Sequence, residues 1–235
     1  FGRAIAVMGT GDPALYALRQ MGCPEGKLLN FPFFVDLEHY SKREVPSVIG
    51  KELHFLSLGR IENAVKGHHL AVEALGRVLE RTGRIDWKYT IAGIGPDSDE
   101  LLSMIASHGL AEQIILVGWL EPEEVRDFLR VSDVLIHPSL RDAYPAAVLE
   151  AMASGTPIVA SRLDGYSTVM EDGMHGLMVP PKDDQALAAA LRHMIQDPQM
   201  RAVMGAFGER RAYEFRWEHV AKQVMDYYEV VKQEA

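Results

Sequence analysis

The sequence has few of the residues on which several protein classes depend. Cys23 is its single cysteine, so an intrachain disulfide framework is excluded and a reducing compartment is favoured. No apolar run approaches the roughly 20 residues of a membrane-spanning helix, and no signal peptide is recognisable. We therefore expect a cytoplasmic protein.

Positive charge is also scarce and scattered. Lysine and arginine together number 24, against 33 aspartate and glutamate residues, which gives a formal net charge of -9. No basic run is longer than a dipeptide, whereas nucleic-acid-binding surfaces usually concentrate basic residues on one face. We expect no nucleic-acid partner, although this composition does not exclude a nucleotide ligand.

Apolar residues, in contrast, are plentiful enough for a sizeable core. They make up 48% of the 235 positions, and this length exceeds that of the commonest single domains. The chain starts at Phe1 rather than at a methionine. We interpret it as one full domain with appended segments, belonging to a longer protein.

Short apolar runs alternate with helical patterns from His54 onward. Strands of a parallel sheet have this apolar character because helices cover both faces of the sheet. The runs are HFLSL, WKYTIA, QIILV, SDVLIH, PIVAS and GLMVP. The sequence therefore predicts an α/β fold with a parallel sheet of about six strands, with helices on both faces and the ligand-binding loops at the carboxyl ends of the strands.

Two flanking segments do not follow this alternation. Residues 1–50 begin with a strand-like run, AIAVM, and a helical stretch, Asp12–Met21, which a polar connection follows. Residues 213–235 have apolar side chains at helical spacing. We therefore expect three parts: an N-terminal segment over 1–50, an α/β domain over 51–212 and a C-terminal helix over 213–235.

The segment HPSLRDAYPAAVLEAMASGTP carries the strongest functional pattern, because its two carboxylates, Asp142 and Glu150, are separated by seven residues. Pro145 suits the first helical position, so Asp142 precedes a helix and Glu150 lies within it, buried among small and apolar residues. A buried carboxylate needs hydrogen-bond donors. The free N–H groups of Ala146 and Ala147 form an anion site at the helix start. A ligand with a phosphate and vicinal hydroxyls would satisfy this arrangement.

These motifs resemble those of retaining glycosyltransferases of the group 1 (family 4) kind. The family pattern runs Pro-Ser, then Glu-x-Phe-Gly or a Tyr-Pro variant, then Leu-Glu-Ala-Met-Ala-x-Gly-Thr-Pro. The chain has PS at 138–139, DAYP at 142–145 and LEAMASGTP at 149–157. The resemblance covers about residues 25–230 and implies a Rossmann-like half of the two-domain glycosyltransferase B fold.

The resemblance implies that the chain binds a nucleotide-sugar donor. Glu150 would hydrogen-bond the ribose hydroxyls, and Asp142 would contact hydroxyls of the transferred sugar. The donor diphosphate would be bound by a Gly-Arg…Lys-Gly motif, which matches Gly59, Arg60 and Lys66. Arg60 and Lys66, together with Asp142, would be the catalytic residues, because they act on the charges that develop during transfer.

Further donor contacts follow from the same resemblance. Backbone groups of Ala143 and Tyr144 would hold the sugar, and the helix start at Ala146 would contact phosphate. Trp119 and Leu120, which follow the third strand of the alternating region, match a segment that lies beside the nucleobase.

The resemblance also implies the partners. Because fixed cations would neutralise the leaving diphosphate, we expect no metal and no other cofactor; the donor would be linked to UDP or GDP. The acceptor, a saccharide or a lipid, would bind mainly to an N-terminal domain. Residues 1–50 would be the end of that domain with the interdomain linker, and the helix over 213–235 would cross back to it. The resemblance also allows peripheral association of the full-length protein with the inner face of a membrane.

Each assignment has a plain structural alternative. Arg60 and Lys66 match ordinary surface cations, and Glu150 matches one partner of a buried ion pair with Arg60 or another cation. Asp142 matches a turn or capping residue. Trp119 matches a side chain that packs under the helix after it.

Two features near the site depart from a simple family match, and a third residue, His137, needs its own interpretation. Asp142 stands where glutamate is usual. Residues 164–168 read DGYST where the family commonly has Gly-Gly-x-Pro-Glu, so the sequence does not name the donor sugar. His137 ends a strand beside the site, and we interpret it as a packing residue rather than as an acid or base.

Two other functions remain open. A nucleotide-sugar epimerase shares the fold, and analysis of products with an acceptor present separates it from a transferase. A non-catalytic nucleotide-binding module is the alternative from another class, and loss of the first acid would favour it.

Overall fold

The computed structural model describes residues 1–31, 33–41, 52–83, 86–142 and 145–234. Its strands are β1 (Val7–Gly9), β2 (Leu28–Asn30), β3 (Leu53–Leu58), β4 (Trp87–Ala92), β5 (Ile114–Gly118), β6 (Val134–His137), β7 (Ile158–Ser161) and β8 (Gly176–Val179). Its α-helices are α1 (Gly11–Gln20), α2 (Leu37–Tyr40), α3 (Asn63–Lys66), α4 (His68–Thr82), α5 (Ser98–Ser107), α6 (Pro122–Val131), α7 (Ala146–Ala153), α8 (Asp184–Gln196), α9 (Pro198–Ala212) and α10 (Trp217–Glu234).

The α/β domain is built on a six-stranded sheet with the order β5-β4-β3-β6-β7-β8. All neighbouring strands are parallel, which confirms the predicted sheet. The chain proceeds outward from β3 to β5 and then returns to β6 on the other side of β3. Ligands of such sheets bind in the crevice where the strand order reverses. That crevice lies beyond Leu58 and His137, the last residues of β3 and β6.

Two apolar cores lie on opposite faces of this sheet. Side chains alternate along each strand, so Phe55 of β3 joins one core and Leu56 the other. Helices α4, α5 and α8 cover the first core, whereas α7 covers the second with Leu149 and Met152, both fully buried. Helices on both faces are thus confirmed. The burial of α7 places the acid-bearing helix directly against the sheet.

Helix α7 begins one residue later than the sequence predicts. Pro145 was expected at the first helical position, but its ψ of 58° lies outside the helical range and makes it the N-cap residue. Its carbonyl oxygen accepts hydrogen bonds from the N–H groups of Val148 and Leu149. In the part of the chain that the structure describes, the Pro145 side chain makes no capping hydrogen bond.

The flanking segments pack beside the domain. Strands β1 and β2 form a parallel pair with α1, close to the predicted strand and helix. The N–H of Val35 donates to the carbonyl of Phe215, which ties this segment to the chain just before α10. The division at residues 50 and 212 stays a prediction, and residues 42–51 lie outside the described part. In the residues that the structure describes, no helix combines the length and the apolar character that a bilayer crossing needs.

Candidate functional site

Asp142 is the centre of a buried polar cluster at the carboxyl edge of the sheet. Its Oδ2 accepts hydrogen bonds from Lys66 Nζ at 2.7 Å, His137 Nε2 at 2.9 Å and the Tyr166 hydroxyl at 3.1 Å. Its side chain is 6% exposed. The three donors come from the end of α3, the end of β6 and the 3₁₀ turn Tyr166–Thr168 after β7. Asp142 is therefore not a simple turn or capping residue.

The charges of this cluster fix the protonation of Asp142. Burial by itself would raise the pKa of its carboxyl, but the hydrogen bond from His137 and the hydrogen bond and positive charge of Lys66 outweigh burial and hold that pKa well below its usual range. Burial also lowers the pKa of His137, so its imidazole is neutral at neutral pH. Because an ionised carboxylate only accepts hydrogen bonds, the His137 proton lies on Nε2. Asp142 is thus a charged acceptor at neutral pH.

Glu150, the second acid, has a different environment on α7. Burial raises the pKa of its carboxyl, and the hydrogen bond from the Tyr40 hydroxyl and the nearby His39 only partly oppose that effect. Tyr40 is held in turn by Ser154, whose Oγ donates to the Tyr40 carbonyl at 2.9 Å. The alternative ion pair with Arg60 is wrong, because Arg60 pairs with Glu62 at 3.3 Å. Among the described residues, a tyrosine hydroxyl rather than a cation thus donates to Glu150.

The predicted diphosphate motif occupies the loop after β3 and the end of α3. Lys66 is 21% exposed and paired with Asp142, so the surface-cation alternative is wrong for Lys66. The Arg60 side chain is 67% exposed, which is compatible both with a diphosphate contact and with an ordinary surface cation. Lys66 ends α3 instead of opening the long helix, because Gly67 separates α3 and α4 with a φ of 66°. A Cβ at Gly67 would collide with the Pro138 carbonyl oxygen.

The close approach at Gly67 joins the α3 loop to the loop of the first acid. The N–H groups of Leu140 and Arg141 both donate to the Val65 carbonyl, at 2.8 and 3.1 Å. Lys66, next in sequence, is thereby held beside Asp142. Gly59 lies near the Lys66 side chain, since a Cβ at Gly59 would stand 3.4 Å from it, at ordinary contact distance.

Trp119 lines an open cleft beside this motif. Its side chain is 68% exposed, so the alternative in which it packs under α6 is wrong. The cleft has a volume of about 260 Å³ and includes Gly59, Arg60, Ile94 and Leu120. An exposed indole beside an apolar cleft suits a flat aromatic ligand. The predicted nucleobase residues and the predicted diphosphate residues therefore share one surface.

A second cleft of about 500 Å³ opens at Asp142. The α/β domain contributes Arg141, Asp142 and Tyr166, and the N-terminal segment contributes Gly11 and Phe33. The sequence did not indicate that residues of the 1–50 segment reach this site. The sugar position implied by the resemblance is thus bounded by two parts of the chain.

The remaining predicted contacts lie at the start of α7. Ala146 and Ala147 are both half-buried and begin the helix, as the anion-site prediction requires. Ala143 and Tyr144 lie outside the described residues, so their predicted contacts with the sugar stay predictions. In the ranges that the structure covers, no group of three or more histidine, cysteine or acidic residues is arranged to hold a metal ion.

Sequence reasoning missed the three side chains that hold the acids. His137 is buried, as a packing residue would be, but it also donates to Asp142. Its position at the end of β6, five residues before the acid, was an available signal. Tyr166 lies in the segment that departs from the family pattern. Tyr40 had no local signal, because only the folded chain brings α2 against α7.

Comparison with known proteins agrees with this geometry. Residues 41–211 match the family described as glycosyl transferases group 1. A putative colanic acid biosynthesis glycosyltransferase, WcaL of Salmonella typhimurium, is 32% identical over 88% of this chain and 52% of its own length. A phosphatidyl-myo-inositol mannosyltransferase of Mycobacterium leprae is 34% identical over 78% of this chain and 47% of its own. The chain thus spans about half the length of these curated relatives.

Solved structures show the same fold. Alr3699/HepE of Anabaena, crystallised with UDP, has a TM-score of 0.85 at 20% identity and covers 97% of this chain and 64% of its own. The C-terminal domain of LpcC, a group 1 family protein of Francisella tularensis, has a TM-score of 0.69 at 24% identity, over 78% of this chain and 99% of its own. The chain has the Rossmann-like half of a glycosyltransferase B fold, and it belongs to the group 1 glycosyltransferase family.

Proposed function

We propose that the chain forms the donor-binding half of a glycosyltransferase, which transfers a sugar from a nucleoside diphosphate to a saccharide or lipid acceptor with retention of configuration. The convergence of Asp142, Lys66 and the Trp119 cleft at one sheet edge carries this proposal. Relatives named as glycosyltransferases support it, as does a neighbour crystallised with UDP-glucose. Because the chain spans about half the length of its relatives, the activity of the full-length protein is proposed rather than observed.

Each part of the donor has a matching surface. The base lies on Trp119, the ribose hydroxyls donate to Glu150, and the diphosphate lies between Lys66 and the first amides of α7. Asp142 faces the sugar cleft as a charged acceptor, which suits hydroxyl donors.

Catalysis in this arrangement is mainly electrostatic. Cleavage of the sugar–phosphate bond builds negative charge on the leaving diphosphate. Arg60, Lys66 and the positive end of the α7 dipole supply fixed compensation for that charge. These groups take the role that a divalent cation has in other transferases. We propose that no metal is required.

Calorimetric titration of the chain with UDP, GDP and ADP tests the donor proposal. We expect saturable binding of at least one of them. Because Trp119 lines the cleft, binding should also change the tryptophan fluorescence of the chain. Lys88→Ala is a suitable control, because Lys88 lies at the opposite end of β4 and is 38% exposed. If none of the three nucleotides binds at millimolar concentration, the donor proposal is wrong.

The two alternative functions require different outcomes. An epimerase would convert a nucleotide sugar when no acceptor is present, and product analysis would show the isomer. A non-catalytic module would be favoured by loss of the first acid, whereas Asp142 keeps a charged carboxylate at that position. Nothing in the described part of the structure specifically favours either alternative.

A further inference from the structure

We propose that Tyr166 and His137 are positioning residues for Asp142, and that the Tyr166 hydroxyl thereby sets the grip on the sugar part of the donor. This inference rests on the proposed donor-binding function. It concerns side chains whose contacts were not expected from the sequence. Neither residue needs to touch the nucleotide.

The geometry shows a carboxylate fixed from three sides. Lys66, His137 and Tyr166 all donate to the same oxygen, Oδ2, at 2.7, 2.9 and 3.1 Å. The His137 and Tyr166 rings lie side by side, with centroids 5.9 Å apart and planes tilted by 30°. Both residues are buried, at 3% and 1% exposure. A carboxylate held in this way cannot rotate without breaking several hydrogen bonds.

The shortness of the Asp142 side chain explains why it is held by the hydrogen bonds from His137 and Tyr166. Aspartate reaches about 1.5 Å less far from the backbone than glutamate, because it lacks one carbon–carbon bond. The Tyr166 hydroxyl comes from a turn 24 residues further along the chain and meets the shorter carboxylate where it ends. Because His137 Nε2 and the Tyr166 hydroxyl lie 2.9 and 3.1 Å from Asp142 Oδ2, we expect the longer side chain of a glutamate at position 142 to collide with one of them. The residues at 142 and 166 are therefore matched to each other.

The consequence for binding is preorganisation. Asp142 borders the 500 Å³ cleft together with Tyr166, and its charge and orientation are fixed before a sugar arrives. A fixed acceptor loses little freedom when it binds a hydroxyl, so it binds more tightly than a mobile one. Loss of the Tyr166 hydroxyl should weaken contacts with the sugar and leave contacts with the nucleotide unchanged.

The test compares bare and sugar-linked nucleotides on the same variants. UDP is compared with UDP-glucose and UDP-N-acetylglucosamine, and GDP with GDP-mannose, all by calorimetry on the full chain. For Tyr166→Phe we expect the preference for the best nucleotide sugar over its bare nucleotide to fall about three- to tenfold. Affinity for the bare nucleotide should stay within about twofold.

Two tyrosine controls separate positioning from stability. Tyr89→Phe also removes a buried hydroxyl, which bonds Ser57 at 2.7 Å inside the core, and should lower the melting temperature without changing the preference. Tyr40→Phe removes the donor to Glu150 and should weaken bare and sugar-linked nucleotides alike. Positioning by His137 predicts that His137→Gln, which keeps a donor N–H, retains more of the preference than His137→Ala.

A double-mutant cycle tests the match between positions 142 and 166. Asp142→Glu alone should reduce the preference, and the same change in a Tyr166→Phe background should reduce it by at least about threefold less, because residues in direct contact are not additive. Additive effects would overturn the inference.

The remaining outcomes distinguish this inference from the function on which it rests. If the unchanged chain binds no nucleotide, the donor proposal fails and the inference fails with it. If nucleotides bind normally but Tyr166→Phe keeps the full preference for the nucleotide sugar, only the positioning role is refuted.

Discussion

The two acids of the Asp142–Glu150 pair have seven residues between them in the sequence, yet the fold gives them opposite electrostatic environments. Asp142 lies in a loop where cationic and neutral donors from three other elements meet, and its pKa is lowered. Glu150 lies on a helix that packs against the sheet, and burial raises its pKa. Tyr40 is its hydrogen-bond donor. The difference teaches that spacing alone does not assign equal roles to the two carboxylates.

This contrast fits the two halves of a donor. Asp142, which is charged at neutral pH, already accepts hydrogen bonds from three protein donors and is fixed in orientation before a ligand arrives. Burial raises the pKa of the Glu150 carboxyl, so hydroxyl groups of a ligand that donate to it would improve its environment. We therefore expect substitutions around Asp142 to change pH-dependent stability and binding of the sugar. Substitutions at Glu150 should change binding of the ribose, which all the nucleotides carry.

The largest effect should come from removing Lys66, the cation that pairs with Asp142 and not with Glu150 among the described residues. Lys66→Ala should weaken binding of UDP or GDP by about 1.5–3 kcal/mol, because a charge-assisted contact is lost. Binding of UMP or GMP should weaken less. Calorimetry on the four nucleotides measures the difference, with Lys88→Ala as the control. Equal losses for mono- and diphosphates would show that Lys66 does not bind the diphosphate.

The next effect sharpens the contrast through stability. The lowered pKa of Asp142 means that its ionised form stabilises the folded state above its unfolded pKa, near 3.8, and that this contribution is lost as the pH falls further. Asp142→Asn should therefore cost about 1–3 kcal/mol at neutral pH. Thermal unfolding from pH 7 to pH 3 should show the gap to the unchanged chain closing in acid. A gap that stays constant across this range would contradict the assigned electrostatics.

Glu150 should show the opposite pH dependence. Its raised pKa gives stability below the unfolded value of 4.5, which is lost as the pH rises through the folded pKa. Glu150→Gln should therefore unfold at the same or a higher temperature at neutral pH, with an advantage under about 1 kcal/mol. The same variant should weaken mono- and diphosphates alike, by about 1 kcal/mol, because both carry ribose. Thermal unfolding and calorimetry on one preparation measure both; a stability loss confined to neutral pH would reverse our assignment.

The smallest expected effect is that of chelation. If Lys66, Arg60 and the α7 amides neutralise the diphosphate, EDTA should leave nucleotide affinity within about twofold. Parallel titrations with EDTA and with added Mg²⁺ measure this effect. A strict requirement for Mg²⁺ would refute the fixed-cation mechanism, without affecting the contrast between the two acids.

Much of the fold could be predicted from local pattern. Buried parallel strands are continuous apolar runs, and such runs keep their identity because helices cover both faces of the sheet. The six strands could therefore be predicted from the sequence, whereas their order came from the structure. Boundaries shifted by about one residue, as at Pro145, since the ends of helices depend on local backbone angles. The reversal of strand order beside β3 was not visible in any local pattern.

What the sequence by itself determined is the class of the sheet and the acids with their spacing. Motif residues lie on loops whose place follows from the order of the strands, so Lys66 and Asp142 were expected near one edge. Only the tertiary structure decided which donors hold each acid, because His137, Tyr166 and Tyr40 reach them from separate elements. The pKa of a carboxyl depends on burial and on charges within a few ångströms, and the folded chain alone sets those distances.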